Sequence, residues 1–203
     1  YTAPVYVSLM SSYLFGERLT GAKVGALVLT FAGATLVSGG YDPAQFRGNL
    51  AGILAGLGAG LTYGLYTIFG KKAAARYHQN TVLVYSFAFG AAFLILVSFP
   101  SRFWAVQYPV RVYPILAVLG VFPTAVAYAL YQAGLRRVEA SRASIVATVE
   151  PVVATLLAYL FLGERIAPLQ GFGGLLVLAG VLGIQISGRK TRGSPRRRAG
   201  SAG

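Results

Sequence analysis

Seven long runs of apolar residues carry either no charged side chain or a single one: 1–16, 24–41, 48–70, 77–101, 112–135, 143–163 and 166–188. Short polar segments separate them: Glu17–Lys23, Asp42–Arg47, Lys71–Arg76, Arg102–Arg111, Arg136–Arg142 and the pair Glu164–Arg165. A helix rises about 1.5 Å per residue, so about 20 apolar residues cross a hydrocarbon layer of about 30 Å. The pattern predicts an all-α polytopic membrane protein with seven spans present, the first of them short. Membrane barrel strands would alternate apolar and polar residues over about 10 positions, and the seven runs do not.

Composition narrows the picture further. Hydrophobic residues make up 56% of the 203 and charged residues 11%, against roughly a quarter charged in soluble domains, so the surface of a soluble enzyme is excluded. The absence of cysteine removes disulfides, a thiol nucleophile and thiolate metal sites. The net charge of +13 has to be read loop by loop in such a chain. One set of alternate loops, with the tail, holds 14 Lys and Arg residues, namely Arg18, Lys23, Lys71, Lys72, Arg76, Arg136, Arg137, Arg142 and six from Arg189 onward. The opposite set holds Arg47, Arg102, Arg111 and Arg165. The positive-inside rule then places the C-terminus in the cytoplasm and residue 1 outside. Phe103, Trp104, Tyr108 and Tyr113 gather at the outer edge of the fifth span, where an interfacial aromatic belt belongs. The segment 188–203, rich in Arg, Gly and Ser, reads as a disordered basic tail held near anionic lipid, with no nucleic acid partner.

Residues 4–36 align with 151–183 at a constant offset of 147. Pro4, Val5 and Leu9 fall on Pro151, Val152 and Leu156; Gly16, Glu17 and Arg18 on Gly163, Glu164 and Arg165; Leu29, Ala32 and Gly33 on Leu176, Ala179 and Gly180. The copies occupy spans one and two and spans six and seven. Five spans apart is an odd number, so they cross the membrane in opposite senses, as inverted-topology repeats do. A five-helix unit would be complete in residues 48–187, whereas residues 1–41 would supply only the last two helices of the first unit. The expectation is an inverted-repeat bundle with seven helices present of ten, in a chain shortened at its N-terminus. In each copy the Gly-Glu-Arg corner is expected to end a helix on a left-handed glycine, with its Glu and Arg paired.

The helix ending Leu14-Phe-Gly-Glu-Arg-Leu19, its echo from Glu150-Pro151 to Phe161-Leu-Gly-Glu-Arg-Ile166, and the Gly- and Ala-rich helix after each resemble the drug/metabolite transporter superfamily, EamA type. The resemblance covers residues 1–187. It implies ten helices, both termini in the cytoplasm, and export or exchange of small metabolites such as amino acids.

Glu150 is the one acidic residue well inside a span, eight residues beyond Arg142, hence about 12 Å in. A carboxylate there is expensive and usually marks an ion or substrate pathway, which makes Glu150 the candidate for proton coupling. Capping of a broken turn is the competing role, since Pro151 weakens the helix at that point. Thr124, Tyr128, Tyr131 and Gln132 share one face of span five and are candidates for lining a passage. Thr148 in span six is another candidate, although it points away from Glu150. Gly52, Gly56, Gly60 and Gly64 form a small-residue stripe suited to close helix packing, continued on the same face by Tyr63 and Thr67, of which Tyr63 is a further candidate for lining the passage. His78, at a span edge, is read as solvated.

The motifs argue against an enzyme. There is no His-Glu-x-x-His and no Gly-x-Ser-x-Gly, and the nearest approach to a P-loop, Gly64–Lys72, has the wrong spacing. No cofactor or metal site is expected. The reading is a secondary transporter in the cytoplasmic membrane that exports a small organic metabolite, an amino acid or a related compound; the alternative is a passive channel or a subunit without transport of its own. Expected partners are a small-molecule substrate and membrane lipid, with protons as a candidate coupling ion and a second copy as a candidate dimer partner.

Overall fold

The computed structural model describes residues 1–41, 50–98 and 108–193, with side chains as far as 188. The polar segment Asp42–Arg47, the aromatic residues Phe103 and Trp104, and the basic segment from 194 onward lie outside the described residues. Within them the chain is helical: α1 (Ala3–Phe15), α2 (Gly21–Val37), α3 (Leu50–Ala74), α4 (Gln79–Ser98), α5 (Val112–Leu119), α6 (Ala127–Arg137), α7 (Ala140–Ala147), α8 (Glu150–Leu157) and α9 (Pro168–Gly193). Wide π-turns join α5 to α6 over Gly120–Val126 and extend α8 over Ala158–Leu162. Five stretches are long and apolar enough to cross a membrane, Leu50–Ala74, Gln79–Ser98, Val112–Arg137, Ala140–Leu162 and Pro168–Gly188, and the shorter apolar α1 and α2 make seven. The seven runs therefore became seven apolar rods. On α4 no residue is fully buried, and an apolar helix exposed over most of its surface is tolerated by lipid rather than by water.

Proline accounts for the breaks between α5 and α6 and between α7 and α8. Pro123 has no N–H to offer the Leu119 carbonyl one turn back, and the helix widens around it. The Thr124 hydroxyl donates to that carbonyl instead, at 3.0 Å. In the sixth span Pro151 likewise leaves Ala147 without its usual donor. The helix breaks at Thr148 and Val149, whose N–H groups donate to Ile145 and Val146 only three residues back.

The chain forms two compact units, residues 1–65 with 140–203 and residues 66–139. In the first unit α2 lies antiparallel on α9 at a crossing made by glycines. A methyl group on Gly33 would stand 2.5 Å from the Gly173 carbonyl oxygen and 2.8 Å from the Val177 backbone nitrogen. One on Gly180 would stand 3.0 Å from the Ala26 carbonyl oxygen and 2.8 Å from the Thr30 methyl. Subtracting 147 turns Gly180, Gly173 and Val177 into Gly33, Ala26 and Thr30. Each glycine thus meets the same two positions of the other copy. Antiparallel helices exchanged in this way are related by a two-fold axis perpendicular to them, the signature of an inverted repeat. Elsewhere in this unit Gly60 and Gly64 of the small-residue stripe face Thr2, Tyr6 and Met10, which brings α3 close to α1.

The two Gly-Glu-Arg corners also match. Gly16 (φ 65°) and Gly163 (φ 69°) are left-handed, and the next residue's N–H closes back six positions, Glu17 to Ser11 at 3.3 Å and Glu164 to Ala158 at 3.4 Å. The expected Glu–Arg pairing is corrected by the structure. The left-handed glycine turns Glu17 inward while Arg18 stays exposed. Glu17 accepts hydrogen bonds from the backbone N–H groups of Ala140 (2.8 Å) and Ser141 (3.2 Å) and from the Ser141 hydroxyl, so it caps α7. Its ionic partner is Lys23, 3.5 Å away, with both side chains buried. Lys23 was counted above among the loop charges, and that too is corrected, since it lies in the first turn of α2 with its side chain 2% exposed. Burial pushes the Glu17 carboxyl upward, but the hydrogen bonds from Ser141 and Ala140 and the charge of Lys23 outweigh it and hold the group below the usual carboxylate range.

The first residues of the expected tail are helical. α9 continues through Gly193, because Arg, Lys and Thr after Gly188 extend a helix already nucleated and the next strong breaker is Pro195.

Candidate functional site

The second unit concentrates polar and aromatic side chains between otherwise apolar helices. The end of α3 contributes Tyr66 and Thr67, α4 contributes Phe87, and α6 contributes Tyr128, Tyr131 and Gln132. On α6 the three residues recur at i, i+3 and i+4 and share one face. The Gln132 side-chain N–H donates to the Tyr66 hydroxyl at 2.8 Å. The Thr67 and Tyr131 hydroxyls share a hydrogen bond at 3.0 Å. Tyr128 is held edge-on between two rings, with centroids 5.4 Å from Tyr66 and 5.6 Å from Phe87. Such edge-to-face pairs contribute beyond their buried area.

Two features of α3 fix this arrangement. Gly70 lets the Gln132 amide lie against the backbone, since a methyl group there would stand 2.7 Å from its nitrogen. One residue on, the Lys71 ammonium donates to the carbonyls of Leu135 (2.5 Å) and Val138 (2.6 Å) and closes the carboxyl end of α6. A cation there also complements the negative end of the helix dipole. Gln132 is fully buried, and among the described residues its amide oxygen has no hydrogen-bond partner. Tyr66, Tyr128 and Tyr131 are half-buried. The basic residues of this unit that are described stand at helix ends, as Lys71, Lys72 and Arg76 do after α3 and Arg136 and Arg137 after α6. The cluster itself is therefore uncharged, and it offers hydroxyls, one amide and ring faces.

Of the residues singled out from the sequence, the structure brings together Tyr128, Tyr131 and Gln132, along with Thr67. Thr124 shares their helical rod, but its hydroxyl serves the Leu119 carbonyl. Tyr63, Thr148 and Glu150 belong to the first unit. Tyr63 is half-buried on α3. Thr148 is buried, with its hydroxyl on the Ile145 carbonyl. Glu150 is exposed in the first turn of α8, so Thr148 and Glu150 do face different ways. Glu150 thus stands at the break that Pro151 makes, where a negative charge suits a helix start. His78 is exposed, and its ring accepts a hydrogen bond from the Asn80 N–H at the start of α4. Sequence reasoning missed Tyr66 and Phe87. The spacing of Tyr66 three residues after Tyr63 could have found the first; nothing in the uniformly apolar α4 singles out the second. Among the described residues no cluster of His, Asp or Glu could hold a metal ion.

The model of the EamA-like transporter family matches residues 50–186. An uncharacterized transporter of Archaeoglobus fulgidus is 34% identical over 90% of this chain and 63% of its own length. A probable terminal-alkyne amino-acid exporter of Streptantibioticus cattleyicolor is 27% identical over 96% of this chain and 63% of its own length. This chain therefore spans somewhat under two thirds of these relatives. A crystal structure shares the fold with a TM-score of 0.77 at 22% identity, over 94% of this chain and 65% of the other. A family match over two thirds of the residues, on apolar helices arranged as inverted copies, identifies a multi-pass membrane protein: the chain belongs to the EamA-like transporter family.

Proposed function

We propose that the protein is a membrane transporter, a secondary carrier that moves a small organic metabolite, an amino acid or a related compound, outward across the cytoplasmic membrane. The observation that carries the reading is the two-fold exchange of α2 and α9 through Gly33 and Gly180. Inverted copies can trade conformations, which opens one central site to each side in turn. The exporter among the relatives supports the substrate class and the direction. The cluster in the second unit supplies suitable recognition chemistry. The ring faces of Tyr66, Tyr128 and Phe87 suit a cationic amino group or a flat side chain, and Gln132 and the hydroxyls suit its polar atoms.

The test is uptake of a panel of labelled amino acids into liposomes holding the full-length protein. Uptake of at least one is expected to saturate, and Tyr128→Ala is expected to lower its rate at low concentration by about tenfold, the value of one well-placed ring contact. Uptake that rises linearly for every solute would replace the carrier with a channel.

Proton coupling is assigned to Glu150, on the ground that a carboxylate at a broken mid-span helix is costly unless it is used. Glu150→Gln is expected to abolish the pH dependence of counterflow while leaving exchange at equal pH. Unchanged pH dependence in this variant would remove Glu150 from the mechanism.

A further inference from the structure

The internal two-fold gives Glu164 a task that its surroundings in this chain do not explain. Its corner repeats that of Glu17: the same left-handed glycine, the same closure over six residues, and the same residue type at the turn. At one corner the carboxylate is buried on the amino end of α7. At the other it is exposed, and among the described residues it has no hydrogen-bond or ionic partner. The geometry that aims one carboxylate at a helix start aims the other at an equivalent place.

We infer that Glu164 is a docking carboxylate for the amino end of a helix, and that the helix is the counterpart of α7 in the first repeat. Its capped N–H groups would belong to the residues 147 positions ahead of Ala140 and Ser141, a stretch that falls ahead of the 203 residues. Two observations select this occupant over a lipid headgroup or a second copy. The two-fold that exchanges Gly33 with Gly180 carries Glu17 to Glu164 and α7 to that segment. The relatives are also longer than this chain, which covers 63% of each of the two compared above. Each repeat would then cap a helix of the other, Glu17 from the first to the second and Glu164 from the second to the first. The environments differ in one respect. Lys23 maps to Gln170, whose amide oxygen accepts from the Ala167 N–H and whose amide nitrogen donates to the Val37 carbonyl, so the second carboxylate would cap without a buried ammonium beside it.

The inference rests on the inverted-repeat architecture rather than on the identity of any solute, so its failure is separable from failure of the transport assay. Glu164→Ala and Glu17→Ala would be introduced into the full-length reading frame and into the 203-residue chain, and amide hydrogen exchange followed by mass spectrometry in detergent. In the full-length protein Glu164→Ala is expected to speed exchange roughly fivefold in the peptide ahead of Tyr1, the usual consequence of losing a cap. It should leave the amides of Ala140 and Ser141 unchanged. Glu17→Ala should do the reverse. In the 203-residue chain only Glu17→Ala should have an effect. Unaltered exchange ahead of Tyr1 in the full-length Glu164→Ala protein would overturn the inference. So would equal disturbance by Glu164→Ala in the shorter chain, which would place the partner within these residues.

Discussion

Replacement of Glu17 by alanine is expected to destabilise the first unit by about 3 kcal/mol, the usual consequence of breaking one side of a buried ion pair. Three effects coincide. The N–H groups of Ala140 and Ser141 lose their acceptor, the Ser141 hydroxyl loses its partner, and the Lys23 ammonium keeps its charge in a buried place without the carboxylate facing it. Glu17→Gln should fall between wild type and alanine, because an amide oxygen still accepts but no longer neutralises. Adding Lys23→Met to Glu17→Ala should restore part of the loss, since the charge left behind is then gone. Thermal unfolding in detergent provides the check, and a midpoint for Glu17→Ala equal to that of wild type would refute the role. The pH dependence has a definite sign. The folded-state pKa is depressed below its ordinary value of 4.5, so this stabilisation is fully present above that value. It fades as the pH falls through the lowered pKa. Wild type should therefore lose stability in that acid range and Glu17→Gln should lose less.

The sequence makes the helices plain because lipid leaves few alternatives: an uncharged run such as the one that holds Gln79–Ser98 has to form an apolar rod. The repeat was legible through rare features, a Gly-Glu-Arg triplet and matched glycines, rather than through shared Leu and Ala. In the candidate site, Tyr128, Tyr131 and Gln132 could be read from their spacing along one helix. Their partners could not, because pairings such as Gln132 with Tyr66 join residues 66 positions apart. Thr124 fits the same spacing, yet its hydroxyl is claimed by a carbonyl that Pro123 leaves free. Periodicity assumes a regular ladder, and proline breaks it. The partner of Glu17 was hidden for a related reason. Arg18 is its neighbour in sequence, but a left-handed glycine sends the two side chains apart and delivers Glu17 to a helix start 123 residues away.

Alanine at Gly33 is expected to cost about 2 to 3 kcal/mol, as overpacking of a tight contact does at its upper range. Its methyl group would press on the backbone of Gly173 and Val177, which cannot rotate aside, so α2 and α9 must separate. Alanine at Gly180 should do the same at the equivalent place but somewhat less severely, because the Ala26 carbonyl oxygen is 3.0 Å away rather than 2.5 Å. The stiff β-branched Thr30 still leaves little room to yield. The two changes should fall short of additive, since helices parted at one end of a crossing already relieve the other. Gly25 and Gly183 lie on the same two helices with nothing within 4 Å of an added methyl. Alanine there should be neutral or stabilising by about 0.5 to 1 kcal/mol, through helix propensity alone. Unfolding midpoints that drop for the crossing pair and not for the control pair would show that the crossing, and not glycine as such, holds the helices together. An equal response across all four would leave the two-fold contact without energetic weight. Because the crossing joins equivalent positions of the two copies, a single residue type must satisfy both orientations there. Glycine meets that demand by presenting the same backbone surface to either partner.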